Sequence, residues 1–148
     1  MILLPTKKQE AKSGSRGFTL IELLIVMVII GLLASLVAPT MFKKVGGAKR
    51  KTARAQIELL GTALDSYRLD NDVYPSSEQG LQALRNQPDG AKNWDGPYLP
   101  KDLPKDPWGN DYVYKSPGDH GDYDLSSYGV DGQPGGEDDN ADINSWEN

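Results

Sequence analysis

The clearest pattern in the chain is an apolar run close to its start with almost no polar interruption. Residues 18–38 number 21, and only Thr19, Glu22 and Ser35 among them are polar. Wound as a helix at about 1.5 Å per residue, this run spans roughly 31 Å, enough to cross the core of a bilayer. Just beyond it, Pro39 lacks the N–H that would bond to the Ser35 carbonyl, and Gly46-Gly47 form a second weak point. The pattern then changes character. Ala53, Ile57, Leu60, Leu64 and Tyr67 recur at spacings of 4, 3, 4 and 3, one apolar stripe on an otherwise polar helix. Together the two patterns predict one long, bent helix over about residues 18–69. Its first half is apolar all round, for lipid or for neighbouring subunits. Its second half is one-sided, to pack a domain.

After the helix stop at Asp70-Asn71-Asp72, the periodicity shortens. Ser76 and Gln79 have the spacing of a capping box and predict a second helix through Leu81 and Leu84 to about Arg85. Pro88, Asp89 and Gly90 mark residues 86–94 as a loop. Trp108-Gly109-Asn110 and Pro117-Gly118-Asp119 read as turns, with strands predicted at 111–114 and 123–128 as an antiparallel pair. The aromatics of this region are expected to cover the helix stripe. The expected class is α+β: a long N-terminal helix, transmembrane in its first half, packed on a small, loop-rich antiparallel β domain.

Composition narrows the chemistry. A chain of 148 residues suits one domain plus an anchor, and with the anchor removed the remaining core is small. The chain has no cysteine, which excludes disulfides, thiol chemistry and the usual thiolate zinc sites. Charge is uneven: residues 1–94 carry 13 basic and 8 acidic side chains, residues 95–148 carry 3 and 13. An acidic C-terminal half disfavours nucleic acid and suits a hard cation. No Gly-x-Ser-x-Gly, P-loop or dinucleotide fingerprint is present, and the single histidine, His120, sits in a Gly/Asp turn expected to be exposed. These observations argue against an enzyme.

Two stretches carry candidate chemistry. Glu22 puts a carboxylate inside the apolar run, at a cost of about 2.5–3.5 kcal/mol on insertion scales. It is either a tolerated interfacial residue or the partner of a positive charge. A cut between Gly17 and Phe18 would create such a charge, an α-amino group, which a neighbouring subunit shifted along the axis could bring to Glu22. The second stretch, residues 131–142, packs five carboxylates into twelve residues with interspersed Gly and Pro. It reads as a calcium loop or as a solvated acidic loop. An EF-hand is excluded, because Ile143 stands where that loop requires glycine.

The flanks of the apolar run also bear on its topology. Lys7, Lys8, Lys12 and Arg16 against Glu10 mark residues 1–17 as a targeting segment, outside the fold. A competing secretory cleavage site at Leu36-Val37-Ala38 leaves Glu22 unexplained. Lys43, Lys44, Lys49, Arg50, Lys51 and Arg54 follow the run, so counting basic residues does not by itself place the leader in the cytoplasm. That second cluster reads as a solvated face, or as a surface for anionic headgroups or acidic neighbours.

The hexapeptide Gly17-Phe18-Thr19-Leu20-Ile21-Glu22 before an apolar run resembles the class III signal of type IV pilins and pseudopilins. Further along, Tyr74-Pro75, Glu78-Gln79-Gly80-Leu81, Gly96-Pro97-Tyr98-Leu99, Asp106-Pro107-Trp108-Gly109-Asn110 and Ser127-Tyr128-Gly129-Val130-Asp131-Gly132 resemble the major pseudopilins of type II secretion systems. The resemblance implies a pilin-like fold and three segments: a cleaved leader, 1–17; a transmembrane and assembly helix, 18–38; and a periplasmic domain, 39–148, with its calcium loop at 128–142. It implies cleavage between Gly17 and Phe18 by a prepilin peptidase, N-methylation of Phe18, and Glu22 as the assembly carboxylate. It also implies calcium, held by the Tyr128 carbonyl, Asp131 and Asp142. Ala141 departs from the family pattern, which leaves Asp138, Asp139 or Asn140 to complete the site. The implied partners are further copies of the chain in a pseudopilus, minor pseudopilins, an inner-membrane assembly platform and an outer-membrane secretin. The implied place is the bacterial inner membrane, single-pass. The alternatives are a type IV pilin or other pilin-like subunit, which the missing cysteines and the acidic loop disfavour, and a membrane-anchored calcium-binding module that does not polymerise.

Overall fold

The computed structural model describes residues 17–147. The leader expected at residues 1–17 lies outside the described residues except for Gly17. The long helix, α1, runs from Leu20–Asn71 over 52 residues, and Pro39 and Gly46-Gly47 lie within it without ending it. It starts two residues later than the apolar run suggests, because Thr19 caps it. The Thr19 Oγ1 accepts the Glu22 N–H at 3.2 Å, and the Thr19 carbonyl accepts the Leu23 N–H at 3.2 Å. Thr19-x-x-Glu22 is the capping-box spacing, a start signal set inside the apolar run.

By contacts, the chain divides into two compact units between Thr40 and Met41. In the first, every large apolar side chain from Leu20 to Val37 is exposed. α1 passes the length and composition test for a membrane span. In the second, the sequence stripe is the core: Ala53, Ile57, Leu60, Leu64 and Tyr67 are all buried, joined by Ala63. Against them pack Leu81, Ala83, Leu84, Leu99, Tyr112, Leu125 and Ile143, with a partly buried rim of Tyr74, Trp94, Tyr98, Leu103, Trp108, Tyr114 and Tyr123. The aromatics do cover the stripe.

The second helix differs from expectation. The capping box forms in both directions: Gln79 Oε1 accepts the Ser76 N–H at 2.9 Å and Ser76 Oγ accepts the Gln79 N–H at 3.2 Å. Yet only a turn follows, then a 3-10 helix at Leu81–Leu84. Gly80 is the cause. At φ 59° and ψ −168° it takes a conformation open to glycine, and this resets the chain before a second α-helical turn can form.

Three strands complete the fold: β1 Val113–Lys115, β2 Asp124–Ser127 and β3 Ile143–Asn144, antiparallel in the order β1-β2-β3. The expected pair is present but shorter. Its register sets Tyr114 opposite Leu125, and Ser127 opposite Ile143. β3 was not anticipated from the sequence. It is two residues long, too short to show alternation, and it makes β2 a central strand with all four residues buried.

Candidate functional site

The first candidate lies at the start of α1. Gly17, Phe18 and Thr19 precede the helix, all exposed, with Phe18 83 % accessible. A Cβ placed on Gly17 would meet nothing within 4 Å. The Gly17–Phe18 bond lies just before the helix, in exposed, non-helical chain. Glu22 sits in the first helical turn, where a negative charge favours the helix macrodipole. Its carboxylate is exposed and, among the described residues, meets no cation.

The second candidate is the acidic loop. Much of it folds on its own backbone. Gly129 at φ 66° lies where a Cβ would stand 3.3 Å from the Ala141 carbonyl oxygen and 3.4 Å from that of Asn140. A Cβ on Gly136, at φ 94°, would stand 2.6 Å from the Asn140 oxygen. The two arms of the loop thus meet backbone to backbone, which glycine alone permits here. Asp131 Oδ1 accepts the Gln133 N–H at 3.1 Å, and Asp142 Oδ2 accepts the Gly135 N–H at 2.8 Å. Asp138, at φ 52°, opens a 3-10 turn at Asp138–Asn140.

Among the described residues, no three His, Asp or Glu side chains converge as a metal cluster. Asp131 and Asp138 are exposed, whereas Asp142 and Tyr128 are partly covered. The side chain of Asp139 lies outside what the structure describes. One observation points to a cation. Among the described residues, Asp142 Oδ1 is buried without a hydrogen-bond partner. A buried, unpartnered carboxylate oxygen is costly unless a cation or donor meets it. A hard, oxygen-seeking ion fits that carboxylate oxygen.

A carboxylate passed over in the sequence organises the loop's near end. Asp106 is 4 % exposed. Its Oδ1 accepts the N–H groups of Trp108 (3.0 Å) and Asn110 (2.8 Å), and its Oδ2 accepts the Ser127 hydroxyl at 2.7 Å. Asn110 Nδ2 then donates to the Gly129 carbonyl at 3.1 Å. One buried carboxylate thereby ties the Asp-Pro-Trp-Gly-Asn turn to the end of β2 and the start of the acidic loop. The signal was available: Asp before a Pro/Gly turn commonly bonds N–H groups two residues on. Nearby, burial pushes the Tyr112 hydroxyl pKa up, and the Asp106 charge adds to the shift.

Beyond the loop, the histidine meets β2 and the segment after β3. His120 is exposed, as expected, but engaged. Its ring stacks on Trp146 at 3.9 Å and 6°, and its Nδ1 lies 2.9 Å from Asp124 Oδ2. Burial raises the Asp124 pKa, but the bonds from His120 and from the N–H groups of Asp119 and His120 outweigh it, and the carboxyl stays below its ordinary range.

Comparison with known proteins gives a consistent result. The family model "Type II secretion system (T2SS), protein G" matches residues 40–146, and "Prokaryotic N-terminal methylation motif" matches residues 12–38. The chain is 49 % identical over 135 residues to a type II secretion system core protein G of Pseudomonas aeruginosa, covering 89 % of this chain and 95 % of that one. It is 50 % identical over 133 residues to its counterpart in Vibrio cholerae, covering 88 % and 90 %. Among solved structures, the crystal structure of the major pseudopilin from the type 2 secretion system of enterohaemorrhagic Escherichia coli aligns with a TM-score of 0.63 at 40 % identity. That alignment covers 73 % of this chain and 95 % of the other.

Proposed function

The chain belongs to the type II secretion system protein G family, structural pseudopilins, and from that premise we propose how its two candidate sites serve the pseudopilus. The family assignment sets aside the type IV pilin alternative. In the proposed reading, a prepilin peptidase cuts between Gly17 and Phe18 and Phe18 is N-methylated. The apolar half of α1 anchors the subunit in the inner membrane, single-pass, with residues 39–148 in the periplasm. Subunits then polymerise through that half-helix. Glu22 of one subunit receives the new α-amino group of the next, so that a pair replaces two charges that would each be costly alone in an apolar setting. The observation that carries this reading is the contrast within α1: exposed apolar side chains throughout its first half, with one carboxylate among them that meets no cation among the described residues. The remaining proposed partners are minor pseudopilins, an assembly platform and an outer-membrane secretin, through which folded proteins leave the cell.

Calcium is the proposed ligand of the acidic loop. The Tyr128 carbonyl, Asp131 and Asp142 would hold it, with Asp138 or Asp139 completing the set. Support comes from Asp142 Oδ1, buried without a partner among the described residues. When bound, the ion supplies charge neutralisation and ties the end of the chain to β2. Thermal unfolding of the whole chain in detergent micelles, in excess calcium, excess magnesium and excess chelator, tests this. A thousandfold excess over Kd stabilises by about 4 kcal/mol, so a large calcium-specific rise in Tm is expected. Equal melting in all three would reduce the loop to a solvated acidic segment.

A further inference from the structure

The apolar stripe of α1 has a charged continuation. Stepping back three residues from Ala53 along the spacing that gives Ala53, Ile57, Leu60, Leu64 and Tyr67 lands on Arg50. Arg50 is partly buried, and its Nη1 donates to the Ala141 carbonyl at 2.6 Å, across 91 residues of sequence. One turn later, Arg54 Nη1 donates to the Glu147 carbonyl at 2.8 Å. The six-residue basic cluster after the apolar run is therefore not all solvated face. Two of its members reach the last stretch of the chain.

The two bonds differ in what they hold. Ala141 is the residue before Asp142, whose Oδ1 is buried without a partner, and its carbonyl oxygen lies in the close approach that Gly129 permits. Glu147 lies beyond β3 and beyond Trp146. Arg50 thus fixes the peptide that carries Asp142, whereas Arg54 fixes the chain's tail.

We propose that Arg50 is a positioning residue for the calcium loop: its guanidinium holds the Ala141 carbonyl and so presents Asp142 to the ion. The proposal rests on the calcium reading above. Arg50 does not touch the ion in this account. It acts as an outer partner that orients a ligand, and loss of such partners typically weakens metal affinity by about 10–100-fold. A guanidinium suits this task because it stays charged and its planar donors are fixed in direction.

Calcium titration of the whole chain in detergent micelles, with magnesium as control, tests this on Arg50→Met, Arg50→Lys and Arg54→Met. Melting in chelator is measured alongside. Both methionine variants lose a contact and melt somewhat lower in chelator. Only Arg50→Met binds calcium more weakly, by about tenfold, and Arg50→Lys, which keeps a donor, recovers most of that loss. Calcium affinity in Arg50→Met equal to wild type, or an equal loss in Arg54→Met, overturns the positioning role. If Arg50→Met does not fold, the order Arg, Lys, Gln at this position carries the test, and equal affinities overturn it. A wild-type chain indifferent to calcium overturns the calcium reading itself, and that outcome is visible before any variant is made.

Discussion

α1 is one helix with two kinds of surface. In its first half, side chains such as Leu24, Ile29 and Leu36 are 59, 52 and 77 % exposed. In its second half, Leu60 and Leu64 are 0 % exposed and Tyr67 is 2 %. The difference is one of completeness. The second half finds its apolar partners inside the same chain, in the 3-10 turn and β2. Among the described residues the first half finds none, and apolar surface of that extent signals a membrane or another subunit. Two carboxylates, one in each half of the contrast, follow the same division. Asp106, in the folded unit, is bonded within the chain, whereas Glu22 meets no cation among the described residues.

This contrast predicts unequal responses to the same substitution. Leu60→Ala leaves a cavity in the core and should destabilise the folded unit by about 2–5 kcal/mol. Leu24→Ala removes a side chain that touches no core residue, and should change the unfolding of that unit by less than about 0.5 kcal/mol. Denaturant titration of both variants checks this, and equal losses would break the division. Asp106→Ala comes next. It strips partners from two N–H groups and one hydroxyl, and should cost about 1–3 kcal/mol per group left buried and unsatisfied. The same measurement reads it, and Asp106→Asn, which keeps some acceptor capacity, should lie between that variant and wild type.

The smallest effect is a pH dependence. The Asp124 carboxyl is held below its ordinary value of 3.8. A depressed carboxyl stabilises the native state above its unfolded pKa, and the contribution fades as pH falls through the folded pKa. Asp124→Asn should therefore flatten the acid limb of stability below about pH 4 and leave its shape near neutrality unchanged. The alkaline limb has the opposite sign. Burial pushes the Tyr114 hydroxyl up to about 12 from 10.0, so its stabilisation is full below pH 10 and lost as pH rises toward 12. Tyr114→Phe should remove that tyrosine's share of the slope and leave the share of the other buried tyrosines, such as Tyr112, read by melting across the range.

Much of this was legible in the sequence because it rests on periodicity. The stripe from Ala53 to Tyr67 and the run over residues 18–38 are each long enough for a period to show. The short features were not. β3 has two residues, and no alternation can be read from two positions. The 3-10 turn after Ser76 was misread as a helix because the capping box is genuine, and only the backbone of Gly80 reveals that it leads nowhere. The role of Asp106 is hidden in sequence, since a lone aspartate in a Pro/Gly turn does not announce burial. Arg50 lay in a basic cluster. Its distinction from Lys49 and Lys51 lies in its phase with the stripe, a test that can be applied to charged residues as well as apolar ones.

If the folded unit holds together without its apolar half-helix, Glu22 serves assembly and not folding. The direct test is Glu22→Ala in the whole chain, with melting of the folded unit and filament formation measured on the same preparation. The account predicts an unchanged melting temperature and a loss of filaments and secretion. Normal filaments from that variant would contradict it.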